Sequence, residues 1–200
     1  IAPVTIRNRK GERVVDTDEQ PGLADMDRIP TLKPAFAEQG TVTAANSSSI
    51  SDGAAALVVA GESAARRDGF IPVARLLAHS THAQEPGWFT TAPVHAIRKV
   101  LDKAGWSAEQ VDLYEINEAF AVVAMAALRE LGLPHGKVNV HGGACALGHP
   151  IGASGARIMV TLIQALRQKG LKRGVASLCI GGGEATAIAL ELADGHEAAD

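Results

Sequence analysis

Beyond Pro93 the apolar positions of the chain recur in two rhythms. Val94, Ile97, Leu101 and Ala104 fall at helical spacing, with Pro93 ahead of them and Gly105 behind. A proline suits a first helical turn and a glycine the residue after the last. Residues 111–116 predict a strand. Phe120, Val123, Ala124, Ala127 and Leu131 return to helical spacing until Gly132. Residues 138–140 predict a short strand. Residues 155–169 predict a helix with Ile158, Leu162 and Leu166 inward and Gly170 as its stop, and residues 174–180 and 185–192 predict two final strands. The order α-β-α-β-α-β-β argues for a layered α/β fold.

The first half is less regular. Residues 1–36 are polar, with 4–7 and 13–15 reading as two short strands around Lys10-Gly11 and the rest as loop with short helical pieces. Residues 46–53 are serine-rich and turn-like. Residues 54–60 are continuously apolar and suit a buried strand or a buried helical turn, which periodicity alone does not separate. Residues 62–68 predict a helix stopped by Gly69, and 73–78 a strand.

Composition narrows the classes. The 200 residues are 46% hydrophobic and 20% charged, an ordinary globular balance that can build a sizeable core. The net charge is −3, the 19 basic residues are scattered and aromatics are 4%, so no nucleic-acid footprint is expected. No apolar run reaches about 18 residues, so no membrane span is expected. Cys145 and Cys179 are too few for a disulfide framework, which favours a reducing compartment. The opening stretch shows no signal peptide and no initiator Met; a cytoplasmic protein is expected, with organellar targeting left open.

Three motifs lie where strands should end, the place where open α/β sheets bind ligands. In Asn117-Glu118-Ala119-Phe120-Ala121 the carboxamide either caps a helix or donates a hydrogen bond to a carbonyl or water. The second motif runs from His141 to Gly155, and its glycines imply tight turns and close backbone approach. His149 would stand near a helix N-terminus, whose positive dipole end disfavours imidazolium and leaves a neutral base; the alternative is a turn histidine satisfied by backbone. His141, Cys145 and His149 have the spacing of metal ligands on one helix, but the glycines and Pro150 oppose a helix there, and no metal is expected. Gly148, Gly152 and Gly155 lack the spacing of a dinucleotide loop. In the third motif, Cys179-Ile180-Gly181-Gly182-Gly183, a thiol beside exposed backbone N–H groups reads as an acid/base or nucleophile at an oxyanion site, or as a buried cysteine before a hairpin turn.

The three motifs in this order resemble the thiolase family. So does Gly40-Thr41-Val42-Thr43-Ala44-Ala45-Asn46-Ser47-Ser48-Ser49-Ile50-Ser51-Asp52-Gly53-Ala54-Ala55-Ala56, and Leu32-Lys33-Pro34-Ala35-Phe36 is similar to the end of that family's coenzyme-A-binding loop domain. The resemblance implies a thiolase-like layered α-β-α fold. Residues 1–36 would be the tail of the loop domain, 37–85 the end of the N-terminal half and 86–200 the C-terminal half. It further implies that His149 activates a nucleophilic cysteine, that Asn117 holds a water completing an oxyanion site with His149, and that Cys179 moves the proton at the substrate α-carbon. The Gly181 N–H would serve a second oxyanion site. Ser48 and Phe36 would meet the pantetheine and adenine parts of coenzyme A, and Phe120 and Leu147 would line the acyl pocket. Acyl-CoA thioesters are then the substrates, no cofactor is needed, and the full-length protein is expected to be a homodimer or homotetramer.

The segment bearing the family's nucleophile has no counterpart in this sequence, and Cys145, inside the His149 motif, does not replace it. The chain alone is therefore expected to be inactive. Gly22 stands where relatives often carry an arginine toward the coenzyme's phosphate, and His141 where they often carry Asn. Ile151, Ala153 and Ser154 lean toward acetoacetyl-CoA/acetyl-CoA members. The other readings are a longer-chain degradative 3-ketoacyl-CoA thiolase, a non-catalytic thiolase-like domain, and a ketoacyl synthase relative, which would carry a His-His-Cys set instead of Asn-His-Cys.

Overall fold

A computed structural model describes residues 2–193; the remainder of the expected C-terminal half, 194–200, lies outside the described residues. The polar N-terminal stretch forms a hairpin of β1 (Val4–Asn8) and β2 (Gly11–Val15), paired from Val4 with Val15 to Asn8 with Gly11. A one-turn helix, α1 (Glu19–Leu23), follows, its start capped by the Asp18 carboxylate accepting the Gln20 N–H at 3.0 Å. The next helix is α2 (Glu62–Arg67).

The rest is a layered unit made of β3 (Ala74–Ala83), α3 (Ala92–Ala104), β4 (Leu113–Ile116), α4 (Ala121–Leu131), α5 (Ala144–Leu147), α6 (Ser154–Lys169), β5 (Arg173–Ile180) and β6 (Glu184–Leu192). The sheet order is β3-β6-β5-β4, with β4 parallel to β5 and the other pairs antiparallel. A parallel pair needs a crossover, supplied here by α4 to α6. α3 buries Val94, Ile97, Val100 and Leu101 against one face of the sheet, where α4 adds Val123 and Ala127 over Tyr114, Ile116, Val175 and Cys179. α6 buries Ile158, Leu162 and Leu166 against Leu113, Ala176 and Leu190 on the other face. The helix sits close: a Cβ on Gly174 would come within 2.8 Å of Leu162. Gly105, Gly132 and Gly170 end α3, α4 and α6 in the left-handed conformation, as their sequence positions predict.

Three expectations are corrected. Residues 54–60 form no strand and no helix, and Val58 is 93% exposed. A strand needs a neighbour for its N–H and C=O groups, and no described strand runs beside this segment. Residues 138–140 are not a strand either: after one bridge between Val138 and Tyr114, the backbone turns at Asn139 with φ 49°. The Asn139 side chain takes over the ladder, its Oδ1 accepting the Ile116 N–H at 2.8 Å and its Nδ2 donating to Ile116 O at 2.8 Å. The connection from β4 to β5 is consequently all helix and loop. Finally, β3 runs five residues past its expected end at Ala78, because β6 offers partners as far as Ala83 opposite Glu184.

Candidate active site

The strand β4 delivers Asn117 to the rim of the sheet. Its backbone N–H continues the ladder onto Ser177 O at 3.0 Å, and the side chain is buried. The carboxamide Nδ2 lies 3.3 Å from His149 Nε2, and the other ring nitrogen, Nδ1, lies 2.6 Å from Ser154 Oγ at the start of α6. Ser154 Oγ in turn donates to Pro150 O at 3.1 Å. A carboxamide nitrogen only donates, so Nε2 accepts. The serine hydroxyl spends its proton on Pro150, so Nδ1 carries the imidazole proton and gives it to Ser154. The network is self-consistent for a neutral ring whose basic nitrogen is Nε2. Beside it the Asn117 Oδ1 is buried without a hydrogen-bond partner, a state costing about 1–3 kcal/mol unless something fills it.

Burial, and then the Arg157 guanidinium, push the His149 pKa below its ordinary value. Sequence reasoning credits the helix dipole with that direction, but the causes at the site are desolvation and a side-chain cation.

Cys179 stands on the neighbouring strand. Asn117 follows the Ile116–Ser177 pair of the β4/β5 ladder, so Cys179, two residues past Ser177, reaches the same C-terminal rim. The thiol is buried in the cluster under α3 and α4. Among the described residues no hydrogen bond links it to Asn117 or His149. Gly181 is exposed in the hairpin turn between β5 and β6, where Gly183 N–H donates to Ile180 O at 3.1 Å.

Burial pushes the Cys179 thiol up to about 11, and burial with the Glu118 carboxylate pushes Cys145 up to about 11. At pH 8 only about one molecule in a thousand then carries either thiolate. Alkylation by iodoacetamide should accordingly be slow at pH 8 and accelerate about tenfold per pH unit up to about 11. Labelling of Cys179 near neutral pH at the rate of a free thiol would contradict this.

The coenzyme-arm candidates gather elsewhere on the same rim. Ser48 donates from both N and Oγ to Ala119 O, at 3.1 and 3.0 Å. Phe36, itself exposed, meets Phe120 edge-on at 5.5 Å, and Phe89 backs Phe120 at 6.2 Å. Phe36, Ser48, Phe120 and Cys145 line a shallow cleft of about 490 Å³. Leu147, at the end of α5, is half exposed and outside that lining. α5 ends before His149, so His141, Cys145 and His149 share no helix.

The serine-rich segment ties these parts together. Ser47 pairs with Phe120, and Ile50 with His149, whose N–H donates to Ser49 O at 2.8 Å. Glu118 holds the loop from the other side, accepting from Asn139 Nδ2 at 2.8 Å and from Cys145 N at 3.2 Å. A Cβ on Gly143 would overlap that carboxylate, so the glycine is required by close approach. Sequence reasoning assigned no such role to Ser154, Glu118 or Asn139. Only Asn139 carried a usable signal, since asparagine is among the few residues that tolerate positive φ.

Comparison with known proteins shows the family. The thiolase C-terminal domain pattern matches residues 70–192 and the thiolase N-terminal domain pattern matches residues 1–63. The chain belongs to the thiolase family. It is 49% identical over 193 residues to an acetyl-CoA acetyltransferase of Paracoccus denitrificans, covering 96% of this chain and 49% of that protein. The acetyl-CoA acetyltransferase structure of Bacillus anthracis superposes with a TM-score of 0.88 at 45% identity, covering 96% of this chain and 49% of that one. The Acat5 thiolase of Ascaris suum in complex with coenzyme A superposes with a TM-score of 0.80 at 41% identity, covering 90% of this chain and 47% of that one. This thiolase chain thus spans about half the length of the relatives it matches. Among its described residues no helix is long and apolar enough to cross a membrane.

Proposed function

We propose that the chain supplies the acid/base half of a thiolase active site, acting on coenzyme A thioesters, with acetoacetyl-CoA and acetyl-CoA as the substrate pair. The names of its relatives support acetyl transfer, and the observation that carries the reading is the Asn117–His149–Ser154 hydrogen-bond chain. It leaves His149 neutral, with Nε2 able to take the proton of a cysteine nucleophile. That nucleophile belongs to a segment outside this sequence.

In the cleavage direction the thiolate attacks the 3-keto carbon of the substrate, and the bond between C2 and C3 breaks. The electron pair stays on C2 as the acetyl-CoA enolate. The Cys179 thiol, protonated at neutral pH, gives its proton to that carbon. In this reading His149 and a water held by Asn117 serve the thioester oxygen, and the Gly181 N–H serves a second oxyanion site. The coenzyme arm lies against Phe36 and Ser48, and Phe120 and Leu147 line the acyl pocket. A cytoplasmic homodimer or homotetramer of the whole protein is part of the same reading.

Incubation of this chain with acetyl-CoA should leave it unmodified by intact-mass measurement. Co-expression with the nucleophile-bearing segment of a thiolase should produce an acetyl adduct on that segment and thiolysis of acetoacetyl-CoA. A stable adduct on Cys145 or Cys179 of the isolated chain would refute the assignment, as would an inert, well-folded reconstituted pair.

A further inference from the structure

Strand β4 and helix α6 meet at two successive levels. At the upper level Asn117 and Ser154 hold His149 from opposite sides. At the lower level, two residues earlier on β4 and three later on α6, Glu115 faces Arg157, with Oε2 3.5 Å from Nη1. Glu115 is 1% exposed. Both of its carboxylate oxygens, and Arg157 Nε, lack a hydrogen-bond partner, so the contact between the two side chains is ionic only, while Arg157 Nη1 donates to Thr161 Oγ1 at 3.4 Å.

We propose that Glu115 and Arg157 are positioning residues for His149: the ion pair locks the register of α6 on β4, and with it the Ser154 hydroxyl on the imidazole. An unpaired carboxylate buried here would be costly, and removing either partner leaves the other charge uncompensated. Among the described residues Arg157 is the cation acting on His149, and it disfavours imidazolium. Glu115 opposes that cation only while ionised. Arg157 from α6 and Glu118 from the loop beyond β4 are the charged groups acting on Glu115, and burial outweighs Arg157 to leave its pKa at about 7. Below about pH 7 Glu115 takes up a proton, Arg157 stands alone, and His149 is held neutral more firmly.

The inference draws its meaning from the reading of His149 as a catalytic base, yet its test uses no activity and would stand or fail separately. The ring nitrogens of His149 are followed by ¹⁵N NMR from pH 5 to 9 in the wild-type chain, Arg157→Met, Arg157→Lys and Glu115→Gln. Arg157→Met should raise the His149 midpoint, and Arg157→Lys, which keeps the charge, should return it toward wild type. Glu115→Gln should abolish the secondary inflection near pH 7 and leave the midpoint, which lies below the range in which Glu115 ionises, close to wild type. If Arg157→Met fails to fold, the near-isosteric Glu115→Gln decides alone. A wild-type midpoint and tautomer in a folded Arg157→Met or, failing that, an inflection near pH 7 that persists in Glu115→Gln would overturn the proposal, even if the variant melts at a lower temperature.

Discussion

Replacing His149 by alanine should lower kcat for acetoacetyl-CoA thiolysis by about 10²–10⁴-fold in an assembly that supplies the cysteine nucleophile, with KM for coenzyme A little changed. The size follows from losing the base itself: without the imidazole nothing takes the nucleophile's proton, and the Asn117 Nδ2 and Ser154 Oγ that held the ring are left facing each other's empty side. The small KM effect follows from geometry, since the cleft of Phe36, Ser48 and Phe120 does not include His149. The pH profile supplies a second readout. Burial and Arg157 hold the imidazole below its ordinary pKa of 6.5, so the base form survives to lower pH. The acidic limb of kcat/KM should fall below pH 6.5, not at it. A loss smaller than about tenfold, measured by stopped assay or by the decay of substrate absorbance, would remove His149 from the role of base.

Much of this architecture was readable from residue order. Helices α3, α4 and α6 declare themselves by apolar spacing and by a terminal glycine, because both signals are local. The strands β5 and β6 are buried, apolar and separated by a glycine turn, which is again local. What failed was pairing. Residues 54–60 have the composition of a buried strand, but a strand exists only with a partner, and that information is not in the segment. Residues 138–140 read as a strand, but the Asn139 backbone leaves the ladder and its side chain makes the bonds to Ile116 instead, which residue order does not show.

The site divides along the same line. Asn117 follows the end of β4, Cys179 lies near the end of β5 and His149 sits in a glycine-rich loop, so residue type and position alone made them candidates. Ser154 is five residues from His149, yet its part depends on the turn at Pro150 folding the chain back on itself. Glu115 and Arg157 are separated by a crossover, and only packing of α6 on β4 makes them neighbours.

Gly148→Ala should destabilise the chain by about 2–5 kcal/mol, combining backbone strain with overpacking. Gly148 has φ 88° and ψ 165°, a region that is essentially glycine-only. A Cβ there would overlap Ser51 Oγ and lie 2.8 Å from Ser51 Cβ. Ser51 has little freedom to retreat: its hydroxyl is 2.9 Å from Ser49 Oγ, and Ser49 O accepts the His149 N–H. Relief at either residue would pull the serine-rich segment off the loop and carry the imidazole away from Asn117. A folded chain stable by only about 5–15 kcal/mol would lose a large part of its margin. The control is Gly152→Ala, four residues on, where a Cβ meets nothing within 4 Å; it should shift stability by no more than about 0.5 kcal/mol. Urea unfolding of both variants separates local strain from a general intolerance of the loop. Midpoints that coincide for the two would mean that the Gly148 backbone relaxes freely, and that His149 is not held by the close approach of Ser51.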